Sequence, residues 1–294
     1  MERRKAMKIA VRPSRLILPS FQVILLSAIL HLANPYTREV SAQDEVKAYS
    51  FFFIPGGGYY GKHSPNEFTR SYCGFMKDLF GDDFTIIDKP LSKASISNVI
   101  WALNKGQKPL RKPEKNKKTV IACRCIMGAL HDETTDITIV SSSFGTVLTA
   151  QIGIMLADHF IKTGKKIPDI NLVMGASMVA KESKLYCKLT ELRNEEKISR
   201  IIYDELQDPG DSATGICGKS RVGAYARSLR MSFVIFGKYK GQPSILNNNP
   251  NTGHLHLKRA QSVEKAEDFL NVTLIKYELA GQEIKEKAGE LLKK

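Results

Sequence analysis

From residue 43 onward, short β-branched or aromatic runs alternate with longer stretches whose apolar side chains recur every three or four positions. The pattern predicts strands at 48–55, 84–88, 137–140, 171–174, 199–204 and 232–236. It predicts helices at 65–80, 96–103, 146–163, 221–229 and 260–280, with a further charged helix at 282–293. Strand and helix alternating at this spacing imply crossover units, and so an α/β fold with a mainly parallel central sheet of about six strands and helices on both faces. In such sheets ligands gather at the carboxyl ends of the strands. Residues 105–135 and 177–198 are longer than ordinary connections and read as insertions. The second has helical composition and is a candidate cap over a site.

The first forty residues follow a different pattern. Arg3, Arg4, Lys5, Lys8, Arg12 and Arg15 make a basic start, 16–33 is mostly apolar, and Val40, Ser41 and Ala42 resemble the approach to a signal-peptidase cut. Pro19, Gln22 and His31 interrupt the apolar run. They favour a signal peptide over 1–42, and hence a secreted or periplasmic protein. A membrane anchor is the alternative, because the run approaches spanning length. The remaining 252 residues, 43–294, suffice for one α/β domain, and no linker divides them.

Charge adds a surface property. Residues 1–42 carry seven Lys/Arg and two Glu, so +9 of the formal net charge of +14 stays with the rest of the chain. Part of that excess lies in 105–118, where Lys and Arg surround two prolines. Such a run is most often a solvated loop, and it can also steer anionic substrates or hold a protein at an anionic membrane surface. It lacks the interleaved aromatics of a nucleic-acid platform, so no nucleic-acid partner is expected. Cys73, Cys123, Cys125, Cys187 and Cys217 are odd in number, which in an exported protein leaves at least one free or paired between chains. Cys123 and Cys125 lack the two-residue gap and histidine partners of a zinc site. Spacing alone assigns neither a disulfide pairing nor a metal.

Residues 136–145 carry the strongest chemical signal. A β-branched run ends in Ser141, Ser142, Ser143, Phe144 and Gly145, and an apolar helix-forming segment follows at once. A strand that turns sharply into a helix on a serine, with small residues two positions to either side, describes a nucleophile elbow. The strained turn lifts that side chain, here Ser143, above the sheet edge. Ser141 stands where the usual pattern has glycine.

The first predicted strand runs into Gly56, Gly57, Gly58, Tyr59, Tyr60 and Gly61. Gly56, Gly58 and Gly61 satisfy dinucleotide-binding spacing, with Asp88 placed as the ribose-binding acid. That fold opens its helix on the glycines, whereas Ser64 and Glu67 make a capping box with Pro65 at the first helical position, about three residues further on. The other reading is an oxyanion loop, whose glycines let backbone N–H groups approach a negative oxygen.

A serine attacks only when a base takes its proton and an acid orients that base. His254 and His256 follow the last predicted strand and precede the final long helix, and Gly253 suits His254 to an exposed loop tip. His159 falls on the helix behind the elbow, and His63 and His131 fall in loops. Asp208 and Asp211 sit where the fifth predicted strand dissolves into a Pro-Gly turn, with Asp204 and Glu205 expected still in the strand.

The order Ser143, then Asp208 or Asp211, then His254 or His256 resembles that of the α/β-hydrolase family. Gly56 to Gly58 after Pro55 resemble its His-Gly-Gly-Gly oxyanion motif, with proline in the histidine's place, and 141–145 resemble its elbow. The resemblance covers about 47–280 and is to compact members, whose sheet begins at the strand before the oxyanion loop. It implies a serine esterase or lipase acting on a small-molecule or lipid ester without cofactor or metal. Ser143 would be the nucleophile, His254 the base with His256 as substitute, and Asp211 the orienting acid with Asp208 as substitute. The amides of Phe144 and of Gly57 or Gly58 would bind the oxyanion. A non-catalytic binding module of the same fold at the cell surface is the alternative, and a nucleotide-dependent oxidoreductase the third reading.

Overall fold

Phe51, Phe52, Phe53 and Ile54 follow one another and are each at most 1% exposed. A strand can bury consecutive side chains only if both of its faces are covered, because successive side chains point to opposite sides. In the computed structural model, which describes residues 48–56, 67–89, 115–207 and 259–293, this run forms β1 (Ala48–Ile54) inside a five-stranded sheet. The other strands are β2 (Phe84–Ile86), β3 (Thr134–Ser142), β4 (Asp169–Gly175) and β5 (Arg200–Ile202). Their order is β2-β1-β3-β4-β5, and every pairing is parallel. The described helices are α1 (Glu67–Phe80), α2 (Lys117–Ala129), α3 (Gly145–Thr163), α4 (Lys184–Asn194), α5 (Arg259–Leu270) and α6 (Gln282–Leu291), with a π-helical turn, Asn271–Lys276, after α5.

The α/β class expected from the alternation is thus observed, with five strands among the described residues rather than about six. The sixth predicted strand, 232–236, lies outside the described residues. So do the predicted helices 96–103 and 221–229 and residues 1–42, expected to be a signal peptide or membrane anchor.

Handedness decides which face each helix covers. A right-handed crossover places its helix on one side when the chain moves one way along the sheet and on the other side when it moves back. The step from β1 to β2 runs opposite to the later steps toward β3, β4 and β5. Accordingly α1 packs with Phe51, Phe53, Val140 and Val173 on one face, where Phe269 of α5 and Ala288 of α6 join it. Helices α2, α3 and α4 pack with Phe52, Ile54, Ile139 and Leu172 on the other. At roughly 1.5–3 kcal/mol for each large apolar side chain taken fully from water, these two layers make the sheet a stiff platform.

Both stretches read as insertions contain crossover helices. Helix α2 occupies much of 105–135; it buries Thr119, Ala122, Cys123 and Ile126, a helical spacing of small, polar and sulfur side chains that hides its apolar stripe. Its fit to α3 is partly polar, since Gln151 Oε1 accepts from Asn116 Nδ2 at 2.9 Å and from Thr119 Oγ1 at 2.5 Å. Within 177–198, α4 connects β4 to β5 and packs Leu185, Leu189 and Leu192 into the core beside α3. Beyond β5, Asp204 and Glu205 lie in a 3-10 turn (Asp204–Leu206) rather than in the strand. The strand stops at Ile202, which is paired with Val173 of β4. No helix among the described residues is long and apolar enough to cross a membrane.

Cys73, Cys123, Cys125 and Cys187 are free thiols. Burial pushes Cys73 up to about 12, against a small opposing pull from Lys77, and pushes Cys123 up to about 11. Both thiols therefore stay protonated and unreactive near neutrality. Because each folded value is raised, the stability each contributes is complete below the ordinary thiol range near about 8.5. It is lost as pH rises through about 11 for Cys123 and about 12 for Cys73. Alkylation at pH 8 followed by peptide mapping is expected to modify exposed Cys187 in the folded protein, and Cys73 and Cys123 only after denaturant is added.

Candidate active site

Strand β3 ends at Ser142 and α3 starts at Gly145, so the chain turns within Ser143 and Phe144. Ser143 has φ of +54°, the left-handed region in which a Cβ crowds the following carbonyl at a cost of roughly 1–2 kcal/mol. Backbone bonds hold it there. The Ser143 N–H donates to the Gly175 carbonyl at the end of β4 at 3.1 Å. The Ser143 carbonyl accepts from the Thr146 N–H at 3.1 Å and from Thr146 Oγ1 at 2.5 Å.

Close approach sets the surroundings of the turn. A Cβ built on Gly145 would lie 2.4 Å from the Ile54 carbonyl oxygen and 2.9 Å from that of Pro55. The start of α3 thus rests on the end of β1, and only glycine fits. A Cβ on Gly56 would lie 2.9 Å from the Cβ of Ser143, so the first residue of the glycine loop is seated against the serine. Ser141, the residue that departs from the elbow pattern, is fully buried and donates its hydroxyl to the Val173 carbonyl at 3.1 Å. Its extra atoms are absorbed by the sheet.

Sheet order adds a reason for function here. The connection after β1 leads to β2 on one side, and the connection after β3 leads to β4 on the other. The crevice outside the carboxyl ends of two such diverging strands is where open α/β sheets bind ligands. Gly56 and Ser143 stand at those two strand ends. The nineteen-residue α3 begins beside them with the partial positive charge of a helix N-terminus, and Phe144 occupies its N-cap position, fully buried.

Of the expected site residues, Ser143 and Phe144 are described and adjacent at this crevice. Gly57, Gly58, Asp208, Asp211, His254 and His256 lie outside the described residues, as does His63. The two described histidines are remote from the serine. His159 is fourteen residues into α3 from Gly145, about 21 Å along the axis, with its ring edge-on to Phe160. His131 precedes β3 at the amino end of the sheet, a strand length of roughly 26 Å from the elbow. There it borders a cleft of about 210 Å³ together with Tyr49, Ser50, Asp83 and Thr134.

The turn after β5 is tied to β4 by one side chain. Gln207 Nε2 donates to the carbonyls of Met174 at 2.8 Å and Tyr203 at 2.5 Å, while its Oε1 accepts the Ser177 N–H at 2.7 Å. The neighbouring acids serve surface pairs. Asp204 meets Lys181 at 2.5 Å, and Lys276 and the Tyr277 hydroxyl hold the Glu205 carboxyl below the usual carboxylate range.

Sequence reasoning did not single out Gln207 or Thr146. Thr146 had a local signal, a hydroxyl three residues after the elbow serine, where a first-turn threonine can reach back to the i−3 carbonyl. Gln207 had none, because two of its three partners, Met174 and Ser177, belong to β4 and the segment after it.

Gly145→Ala is expected to cost at least about 1–3 kcal/mol in urea denaturation, since the methyl meets backbone that has no room to yield. Gly128→Ala, on the exposed side of α2 with no atom within 4 Å of the added Cβ, is expected to be neutral or slightly stabilising. Equal behaviour of the two variants would show that α3 does not rest on β1.

No known protein family matches this chain, and no curated protein or solved structure matches it.

Proposed function

We propose that this chain is an exported serine hydrolase that cleaves carboxylic esters of small molecules or lipids. The observation that carries the reading is the left-handed Ser143 between β3 and α3, at the switch point of the sheet and against Gly56. A strained residue that carries a Cβ persists only where its surroundings over-determine it, and such residues cluster at functional sites. The parallel sheet, the order of its strands and the glycine beside the serine all support an elbow of the α/β-hydrolase kind.

In this reading Ser143 Oγ attacks the ester carbonyl while its proton passes to His254, or to His256 in its place. Asp211, or Asp208, orients the imidazole and stabilises its charged form. The amide of Phe144, with that of Gly57 or Gly58, stabilises the oxyanion, each such donor contributing roughly 2.7–4 kcal/mol to lowering the barrier. Collapse of the tetrahedral species releases the alcohol, which takes the proton from histidine, and leaves an acyl-serine. Water, deprotonated by the same histidine, then attacks the acyl carbon; the bond from that carbon to Ser143 Oγ breaks, Oγ takes the proton back from histidine, and the carboxylic acid leaves.

A nucleotide site could use the same strand order, with Asp88 just past the end of β2. That chemistry has no use for a left-handed serine packed against the glycine loop.

Ser143→Ala keeps the Cβ and every backbone hydrogen bond of the turn. It is expected to retain stability within about 0.5 kcal/mol while losing turnover of p-nitrophenyl butyrate and labelling by a fluorophosphonate probe. Undiminished turnover in the variant would refute the mechanism. An unmodified protein that resists the probe yet binds an ester or lipid tightly would point to a non-catalytic binding module.

A further inference from the structure

We infer that Thr146 is a positioning residue for Ser143, its hydroxyl bracing the elbow against the segment that follows β4; this rests on the serine-hydrolase reading above. Thr146 is fully buried in the first turn of α3, one residue after its start. Its Oγ1 donates to the Ser143 carbonyl at 2.5 Å and accepts the Met178 N–H at 3.1 Å. One hydroxyl fills both roles, because it has one proton to give and lone pairs to receive with.

The consequence is geometric. The direction of the Cα–Cβ bond at Ser143 depends on the two peptide planes that flank its Cα. The plane before it is fixed by the bond from its N–H to Gly175, and the plane after it by the bonds from Thr146 to its carbonyl. The Thr146 amide alone supports that second plane from within the helix. The hydroxyl adds a bridge to a different element.

The far end of the bridge is itself anchored. The Ala176 N–H donates to the Leu206 carbonyl at 2.9 Å, the Ser177 N–H donates to Gln207 Oε1, and the Ser177 hydroxyl accepts the Val179 N–H at 3.1 Å. The brace therefore links the end of β3 to the end of β5 through the loop after β4. Those are the strand ends that carry the nucleophile and lead into the acid candidates. A nucleophile held loosely loses rate much faster than it loses binding, since a misplacement of about 1 Å can cost about a hundredfold.

Thr146→Val keeps the branched shape and removes the hydroxyl, whereas Thr146→Ser keeps the hydroxyl. In the full chain, below the melting temperature of each protein, Thr146→Val is expected to lower kcat for p-nitrophenyl butyrate about 10- to 100-fold with KM within about threefold. The rate of Ser143 labelling by the fluorophosphonate is expected to fall in parallel. Thr146→Ser is expected to stay within about threefold of the unmodified protein on both measures. A folded Thr146→Val protein with unchanged kcat and labelling rate overturns the inference and leaves the role of Ser143 intact. So does a folded Thr146→Ser protein that has lost both, and that variant decides the matter if Thr146→Val fails to fold. An unmodified chain that takes no label at Ser143 removes the serine-hydrolase reading and this inference together.

Discussion

Helix α3 starts on top of the end of β1, with no space for even a methyl group between Gly145 and the carbonyls of Ile54 and Pro55. That backbone-to-backbone contact constrains everything around it. The chain must leave β3, rise and enter a helix within two residues, and Ser143 takes up the strain by adopting a left-handed φ. A larger residue at position 145 would push the helix away and let the turn relax. Strain at the serine and closeness at the glycine are thus two views of one fit.

The platform beneath makes the strain tolerable. Residues of β1, β3 and β4 are buried on both faces, between α1, α5 and α6 on one side and α2, α3 and α4 on the other. A densely packed sheet of this kind does not adjust to local strain by shifting strands. The penalty at Ser143, of order 1–2 kcal/mol, is small beside the apolar burial that surrounds it. It is countered locally by the bonds to Gly175 and Thr146.

Polar side chains then tie the carboxyl edge together. Thr146 joins the elbow to Met178, and Gln207 joins the turn after β5 to Met174 and Ser177. Surface charges nearby pair with one another, as Lys181 does with Asp204 and Lys276 with Glu205. The edge where chemistry is proposed is therefore held by buried and half-buried bonds from the side chains of Thr146 and Gln207 to backbone groups. Exposed ion pairs of this sort contribute little by themselves.

The amino-acid sequence by itself determined the alternating architecture and the position of the strand-to-helix turn at Ser143. An apolar run such as 51–54 and a serine spaced between small residues are local patterns, and local patterns survive in one dimension. It also marked the glycine loop, without saying which glycine meets the serine. The helix at 117–129 was hidden because three of its four buried residues are threonine, alanine and cysteine, and the threonine bonds to Gln151 of a different helix. Which histidines lie far from Ser143, why Ser141 can replace a glycine, and how Thr146 braces the turn were decided only in three dimensions. Each depends on atoms from strands or helices distant in the chain, and their approach follows from sheet order and crossover handedness rather than from any spacing along the sequence.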